Sequence, residues 1–235
     1  MSENLFPYLK DPVDLALINA TPVLVAPIRG KLPLPELGQM RFVVSKQYVQ
    51  LEARTQVLEI RLPIARFDSP LPYGELENGI RLVNGPIPER LLEEAALRSK
   101  QAFPDEWAGL VVWPESRSGY ELYEPEFLSK SGAHITYSNS LPPGLELVLD
   151  LHSHGRFGAY FSPEDDRSDL GGIYLSGVFG HCDRKSMSSA WRACAHGRFA
   201  SLMLMQDCNG GFYFEVPPRD IKSFSPDNAF AGMEG

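Results

Sequence analysis

The clearest pattern in the chain is an alternation. Leu58, Ile60, Leu62 and Ile64 are separated by Glu59, Arg61 and Pro63, a period of two that predicts a strand with one buried face. Shorter runs rich in Val, Leu and Ile, bounded by turn residues, predict strands over 22–28, 40–45 and 48–53, with the alternating strand itself covering 56–65. Pro70, Pro72, Gly74, Gly79, Gly85, Pro86 and Pro88 then break every long element. This break divides the chain into a β-rich domain over 1–85, a second domain over 86–217 and a tail over 218–235. The leading domain is expected to fold by itself and to present a substrate or a partner.

Beyond the break the period changes. Ile87, Leu91, Ala95 and Ala102 fall on one helical face, while Glu89, Arg90, Glu93, Glu94, Arg98 and Lys100 occupy polar positions. The helix should stop near Phe103, because Pro104 disfavours a helical conformation in the residue before it. The apolar run from Glu106 to Trp113 predicts a buried strand, and further strands are expected over 119–123, 134–137, 145–154, 172–179, 200–206 and 212–216. A helix should follow Ser162, and a second is expected over 186–195. Strands and helices together give an α+β or α/β-like domain. No internal repeat or low-complexity segment is visible, and 217–235 reads as a loose tail.

Composition narrows the function classes. With 235 residues, 43% hydrophobic and 22% charged, the chain has the make-up of an ordinary globular protein. A net charge of −8 argues against direct nucleic-acid binding, which rests on Lys and Arg neutralising phosphates. The excess acid lies after Arg81; it could favour a basic protein substrate or form a solvated surface. Cys182, Cys194 and Cys208 are widely spaced and imply neither a disulfide framework nor a thiolate zinc site. Met1 to Pro12 lack the pattern of a secretion signal, and no apolar run is long enough to span a bilayer, so a reducing cytoplasm is the expected compartment.

The chemistry gathers after residue 100. The segment Leu145 to His154 should be a strand ending in two histidines two residues apart, and on a strand such residues project from one face. His152 and His154 can therefore converge on one metal ion, although an isolated His-x-His pair is weak evidence. The run Ser162-Pro-Glu-Asp165 begins a helix in an ordinary way, with Ser as N-cap and Pro at the first helical position. The same geometry holds Asp165 in the first turn, where it could supply a third, oxygen ligand. Two His and one carboxylate leave a fourth tetrahedral position for water, the arrangement of catalytic zinc.

The order His152-x-His154, seven intervening residues, then Ser162-x-x-Asp165 resembles the JAMM motif of the MPN/JAB metallopeptidases. Phe103-Pro-Asp-Glu106-Trp-Ala-Gly-Leu110 is similar to that family's helix-to-strand segment bearing its catalytic glutamate, and the likeness covers 88–216. It implies the family's cytidine deaminase-like mixed sheet with flanking helices and one zinc ion per chain on His152, His154 and Asp165. It further implies Glu106 as general base and acid, and Ser162 as a support for the oxyanion. The implied reaction is hydrolysis of an isopeptide or peptide bond at the tail of a ubiquitin-like protein. More narrowly, the run from His152 to Arg167 together with the strand-rich leader resembles protein A of the bacterial PRTRC cassette. That likeness implies a bacterial or plasmid-borne setting and a ThiF-like neighbour related to ubiquitin-activating enzymes. One departure is Gly155, which stands where the motif usually has proline and loosens the loop towards Ser162.

Other residues compete for these roles. Asp166, Asp169, Glu115, Glu121 and Glu124 are alternative carboxylates, and Asp150 is a candidate partner for a ligand or a solvated strand residue. His134, His181 and His196 lack a partner at ligand spacing, and Trp107, Trp113, Tyr160 and Phe161 read as core more readily than as a substrate platform. No elbow motif supports a Ser or Cys nucleophile. The rival from another class is a catalytically silent scaffold of the same fold in a plasmid-maintenance cassette.

Overall fold

The computed structural model describes residues 23–116, 119–131, 134–137, 141–217 and 223–224. The expectations for the start of the chain, for the His134 side chain and for most of the tail lie outside the described residues.

The leading sheet is built from β1 (Val23–Val25), β2 (Met40–Val44), β3 (Tyr48–Arg54), β4 (Leu58–Phe67) and β5 (Gly79–Leu82). β2, β3 and β4 form an antiparallel meander, with β1 parallel to β2. The outer edge of β4 is shared. Its first residues pair with β5 (Leu58↔Leu82 to Arg61↔Gly79), and its last pair in parallel with β16 (Ser223–Phe224). The period-two reading holds for Leu58, Ile60 and Leu62, all buried, whereas Ile64 is 43% exposed. On the opposite face Glu52, 2% exposed, accepts from both Arg41 and Arg61. The two guanidiniums offset the cost of burying that carboxylate.

The second sheet follows the proline-rich break. Its elements are β6 (Ile87–Pro88), α1 (Glu89–Ala102), β7 (Ala108–Pro114), β8 (Glu121–Tyr123), β11 (Leu145–Ser153), α2 (Pro163–Ser168), β12 (Ile173–Gly180), β13 (Ser188–Ala195), β14 (Arg198–Gln206) and β15 (Gly211–Glu215). A separate hairpin, β9 (Phe127–Ser131) with β10 (His134–Tyr137), precedes β11. The strand order is β6-β15-β14-β13-β12-β11-β7-β8, and only β11 and β12 run parallel. A parallel pair needs a crossover. Residues 154–172 supply it, and they carry α2.

One expected element is corrected. Residues 186–195, read as a helix, contain the strand β13, paired on both sides with β12 and β14. Ala190, Ala193 and Ala195 favour a helix intrinsically, but β strands flank the segment on both sides and tertiary pairing decides. Its small residues suit the crowded position, and Trp191 fills the space above Gly177, where an added Cβ would lie 2.3 Å from the indole.

The sheet has two dissimilar faces. Leu149, Leu151, Leu175, Ala193, Ala195 and Val111 point to one side and join a continuous apolar cluster with Leu91, Leu92 and Ala95 of α1 and with Leu51, Leu58 and Leu62 of the leading sheet. The other side carries Asp150 and His152 on β11, Tyr174 and Ser176 on β12, and Arg192 and Cys194 on β13, in cross-strand register. All of these are buried, so a polar layer lies beneath the crossover.

Candidate metal centre

β11 runs its apolar residues into the core and carries His152 next to its end at Ser153, with His154 immediately after it. Since β7 is antiparallel to β11, its beginning lies beside the end of β11, with His152 opposite Ala108. Trp107 and Ser153 lock this junction: the Ser153 amide donates to the Trp107 carbonyl at 2.9 Å, and the Trp107 amide donates to Ser153 Oγ at 2.9 Å. Glu106, adjoining Trp107 and only 7% exposed, is thereby delivered to the histidines, and its charge acts on His152.

The third participant arrives on α2. Ser162 is its N-cap: the Asp165 amide donates to Ser162 Oγ at 3.2 Å, and the Ser162 amide donates to Asp165 Oδ2 at 2.6 Å, a reciprocal capping box. The box turns the Asp165 carboxylate back towards β11. Asp165 Oδ1 lies 3.1 Å from His152 Nε2, and Oδ2 lies 3.6 Å from His154 Nε2. The two Nε2 atoms are 3.2 Å apart. One ligand atom from each of His152, His154 and Asp165 falls within 4.8 Å of the others.

This geometry suits a cation. Two imidazole nitrogens and a carboxylate converge on one point, and a positive charge there satisfies all three. His154 Nδ1, moreover, is buried and has no hydrogen-bond partner among the described residues. An orphaned buried polar atom costs about 1–3 kcal/mol. A metal on Nε2 would leave this cost in place, so the fit rests on the converging Nε2 atoms and the carboxylate. Two His and one carboxylate are also the donor set of zinc sites that retain an open position. The three residues therefore fit zinc.

The electrostatics agree. Burial opposes a charge on His152, but the hydrogen bond and charge of Asp165, with Asp150 and Glu106 behind it, outweigh burial and hold its pKa above the ordinary value. Burial likewise pushes Asp165 up. Hydrogen bonds from His152 and His154 and the Ser162 amide win, and the carboxyl sits well below the usual range.

The loop from Gly155 to Phe161 joins the two halves of the site. Gly155 has φ +53°, a left-handed conformation closed to proline, whose ring fixes φ near about −65°. The departure from the motif is thus a different turn, and the loop is nonetheless held. The Cys182 amide donates to Gly155 O at 2.7 Å, the His181 amide to Phe157 O at 2.6 Å, and the Ala159 amide to Ser188 Oγ at 3.0 Å. It lies so close on Gly180 that an added Cβ would sit 2.2 Å from the Ala159 nitrogen. Tyr160, 52% exposed, sets its ring edge against His154, with centroids 4.7 Å apart. It marks the mouth of the site.

Three of the competing carboxylates are engaged elsewhere. Asp166 and Asp169 bind Arg192, and Glu124 accepts from Arg98 and from Trp107 Nε1. His181 Nδ1 meets Ser188 Oγ, and His196 lies on the surface. Asp150 is 4% exposed and accepts from Tyr137 Oη at 2.6 Å, so it is a buried partner within the polar layer. Trp107 is core, while Phe161 covers Arg192. The sequence reading missed Tyr137, Tyr174 and Arg192. The last was hidden by the helical reading of 186–195, in which its alignment with Cys194 on one strand face is lost.

Comparison with known proteins finds two matching family models. Residues 88–194 match the prokaryotic homologs of the JAB domain, and residues 11–83 match a domain of unknown function, DUF2016. Among solved structures, a JAB1/MPN domain protein from Archaeoglobus fulgidus, AF2198, is 18% identical with a TM-score of 0.34, covering 60% of this chain and 100% of its own. Protein DSY2949 from Desulfitobacterium hafniense is 18% identical with a TM-score of 0.38, covering 49% of this chain and 87% of its own. No curated protein matches the chain. The α+β architecture expected from the sequence, a mixed sheet with flanking helices behind a β-rich leader, is the one observed. Residues 88–194 are thus a JAB/MPN-like domain, similar to a family that includes metal-dependent isopeptidases.

Proposed function

We propose that the protein is a zinc-dependent hydrolase that cleaves an isopeptide or peptide bond, with His152, His154 and Asp165 as metal ligands. The observation that supports it most is the convergence of three ligand atoms within 4.8 Å beside a buried glutamate. When bound, zinc would acidify water and polarise the scissile carbonyl. Glu106 takes the proton from the attacking water and passes it to the leaving amine, which departs as the carbon–nitrogen bond breaks. Its low exposure keeps bulk water from competing for that proton. The Ser162 hydroxyl oxygen accepts from the Asp165 amide, and its own proton can be directed at the oxyanion that develops on the carbonyl.

The substrate we infer is the extended tail of a ubiquitin-like protein, cytoplasmic and encoded in a bacterial setting with a ThiF-like neighbour. This follows the resemblance to the PRTRC cassette protein. Among the described residues no helix is long and apolar enough to cross a membrane.

The test combines metal analysis with one isosteric variant. The full chain should carry close to one zinc, His152→Ala should lose it, and Glu106→Gln should keep it while losing hydrolysis of a ubiquitin-like fusion, because an amide cannot accept the proton. Metal content indifferent to His152, or Glu106→Gln retaining turnover, would overturn the reading in favour of a silent scaffold.

A further inference from the structure

Helix α2 carries Asp165, yet it is six residues long and buries none of its side chains. Packing of an apolar face, the usual source of stability for so short a helix, is absent. Besides its capping box, what ties it to the sheet is above all one side chain from β13. Arg192, 5% exposed, donates through Nε and Nη2 to Asp169 Oδ2 at 3.2 and 2.7 Å and through Nη1 to Asp166 Oδ1. Its guanidinium is also held between two rings, 4.0 Å from the centroid of Phe161 and 4.1 Å from that of Phe199. The contacts fall before, within and just after the helix, at Phe161, Asp166 and Asp169.

The far end is fixed further. Asp169 is the C-cap, its amide donating to the Asp165 carbonyl at 2.9 Å, and its Oδ1 accepts from Tyr174 Oη at 2.9 Å. A guanidinium can make these bonds at once because its donors lie in a rigid planar fork and its faces stack on rings. An ammonium cannot.

We infer that Arg192 is a positioning residue that fixes helix α2, and with it the Asp165 carboxylate, against the His152 and His154 imidazoles. The inference deepens the proposed function and rests on Asp165 being a ligand. Arg192 does not touch the site; it acts through Asp166 and Asp169. A partner group of this kind typically changes metal affinity by about 10–100-fold.

The experiment uses the full chain with Arg192→Lys and with Arg192→Met/Asp169→Asn. The double variant removes the buried carboxylate charge together with its counter-ion, so that folding does not fail for want of a partner. In metal-free protein, amide exchange at Asp165, Asp166 and Asp169 should quicken by about tenfold or more in the double variant and less in Arg192→Lys, relative to amides of Ser176 to Phe179. Zinc affinity, read by competition with a chromophoric chelator, should fall by about tenfold or more. A role in global stability alone would leave the affinity of folded protein unchanged. Parental exchange in α2, or a loosened α2 with parental zinc affinity, overturns the inference. If the parent itself binds no zinc, the metal reading fails, and α2 exchange that does not respond to Arg192 would overturn the clamp as well.

Discussion

At the scale of single residues, His152 and Asp165 give the metal-free protein a pH signature. Asp165 has a depressed pKa, so its contribution to stability is present above the ordinary carboxylate value and is lost as pH falls through the folded value. His152 has a raised pKa, so its contribution is full below the ordinary imidazole value and is lost as pH rises through the folded one. The pair therefore supports the apo fold most between about pH 4 and 6.5. Denaturant midpoints of metal-free protein should peak there and flatten in Asp165→Asn; a profile that the substitution leaves unchanged would contradict this. These residues were legible in the sequence because strand alternation and helix capping are local rules. The Arg192 clamp was not, since a guanidinium between Phe161 and Phe199 is a property of three segments that only folding brings together.

At the scale of elements, the loop between the histidines and Ser162 depends on the absence of a side chain at Gly180. A Cβ there would press on backbone atoms of Phe157, Gly158 and Ala159, none of which can rotate away. Gly180→Ala should cost about 1–3 kcal/mol in a denaturant titration and weaken zinc binding, because the displaced loop carries the start of α2. Stability and affinity equal to the parent would show that the loop yields freely. The elements best foreseen were the amphipathic α1 and the alternating β4, whose periods are long enough to read. β5, β6 and β9 escaped because each is short and lies among turn residues or partly buried positions. β13 escaped because its Ala-rich composition speaks for the wrong element.

At the scale of the whole molecule, the apolar cluster crosses the proline-rich break. Leu51, Leu58 and Leu62 from the leading sheet, Leu91 from α1, and Leu149 and Leu175 from the later sheet belong to it together. The sequence pattern places a boundary at residue 86 because prolines and glycines mark a change of chain direction, but they do not report which faces meet afterwards. A fragment beginning at Pro86 should consequently expose α1 and precipitate or bind a hydrophobic dye, unlike the full chain. A soluble, compact fragment with parental zinc affinity would instead support independent folding of 86–217.

The divided edge of β4 bears on synthesis. Its first residues can pair with β5 soon after leaving the ribosome, but Arg66 and Phe67 wait for Ser223 and Phe224, which are translated only after the whole of the second sheet. During that interval the nascent sheet has an open rim, a natural template for a neighbouring polypeptide on the same polysome. Pro63, lacking an N–H, falls in the gap between the stretches covered by β5 and β16, and Arg66 adds a charge beside it. The strand thus carries its own protection against premature pairing until translation reaches the segment that completes it.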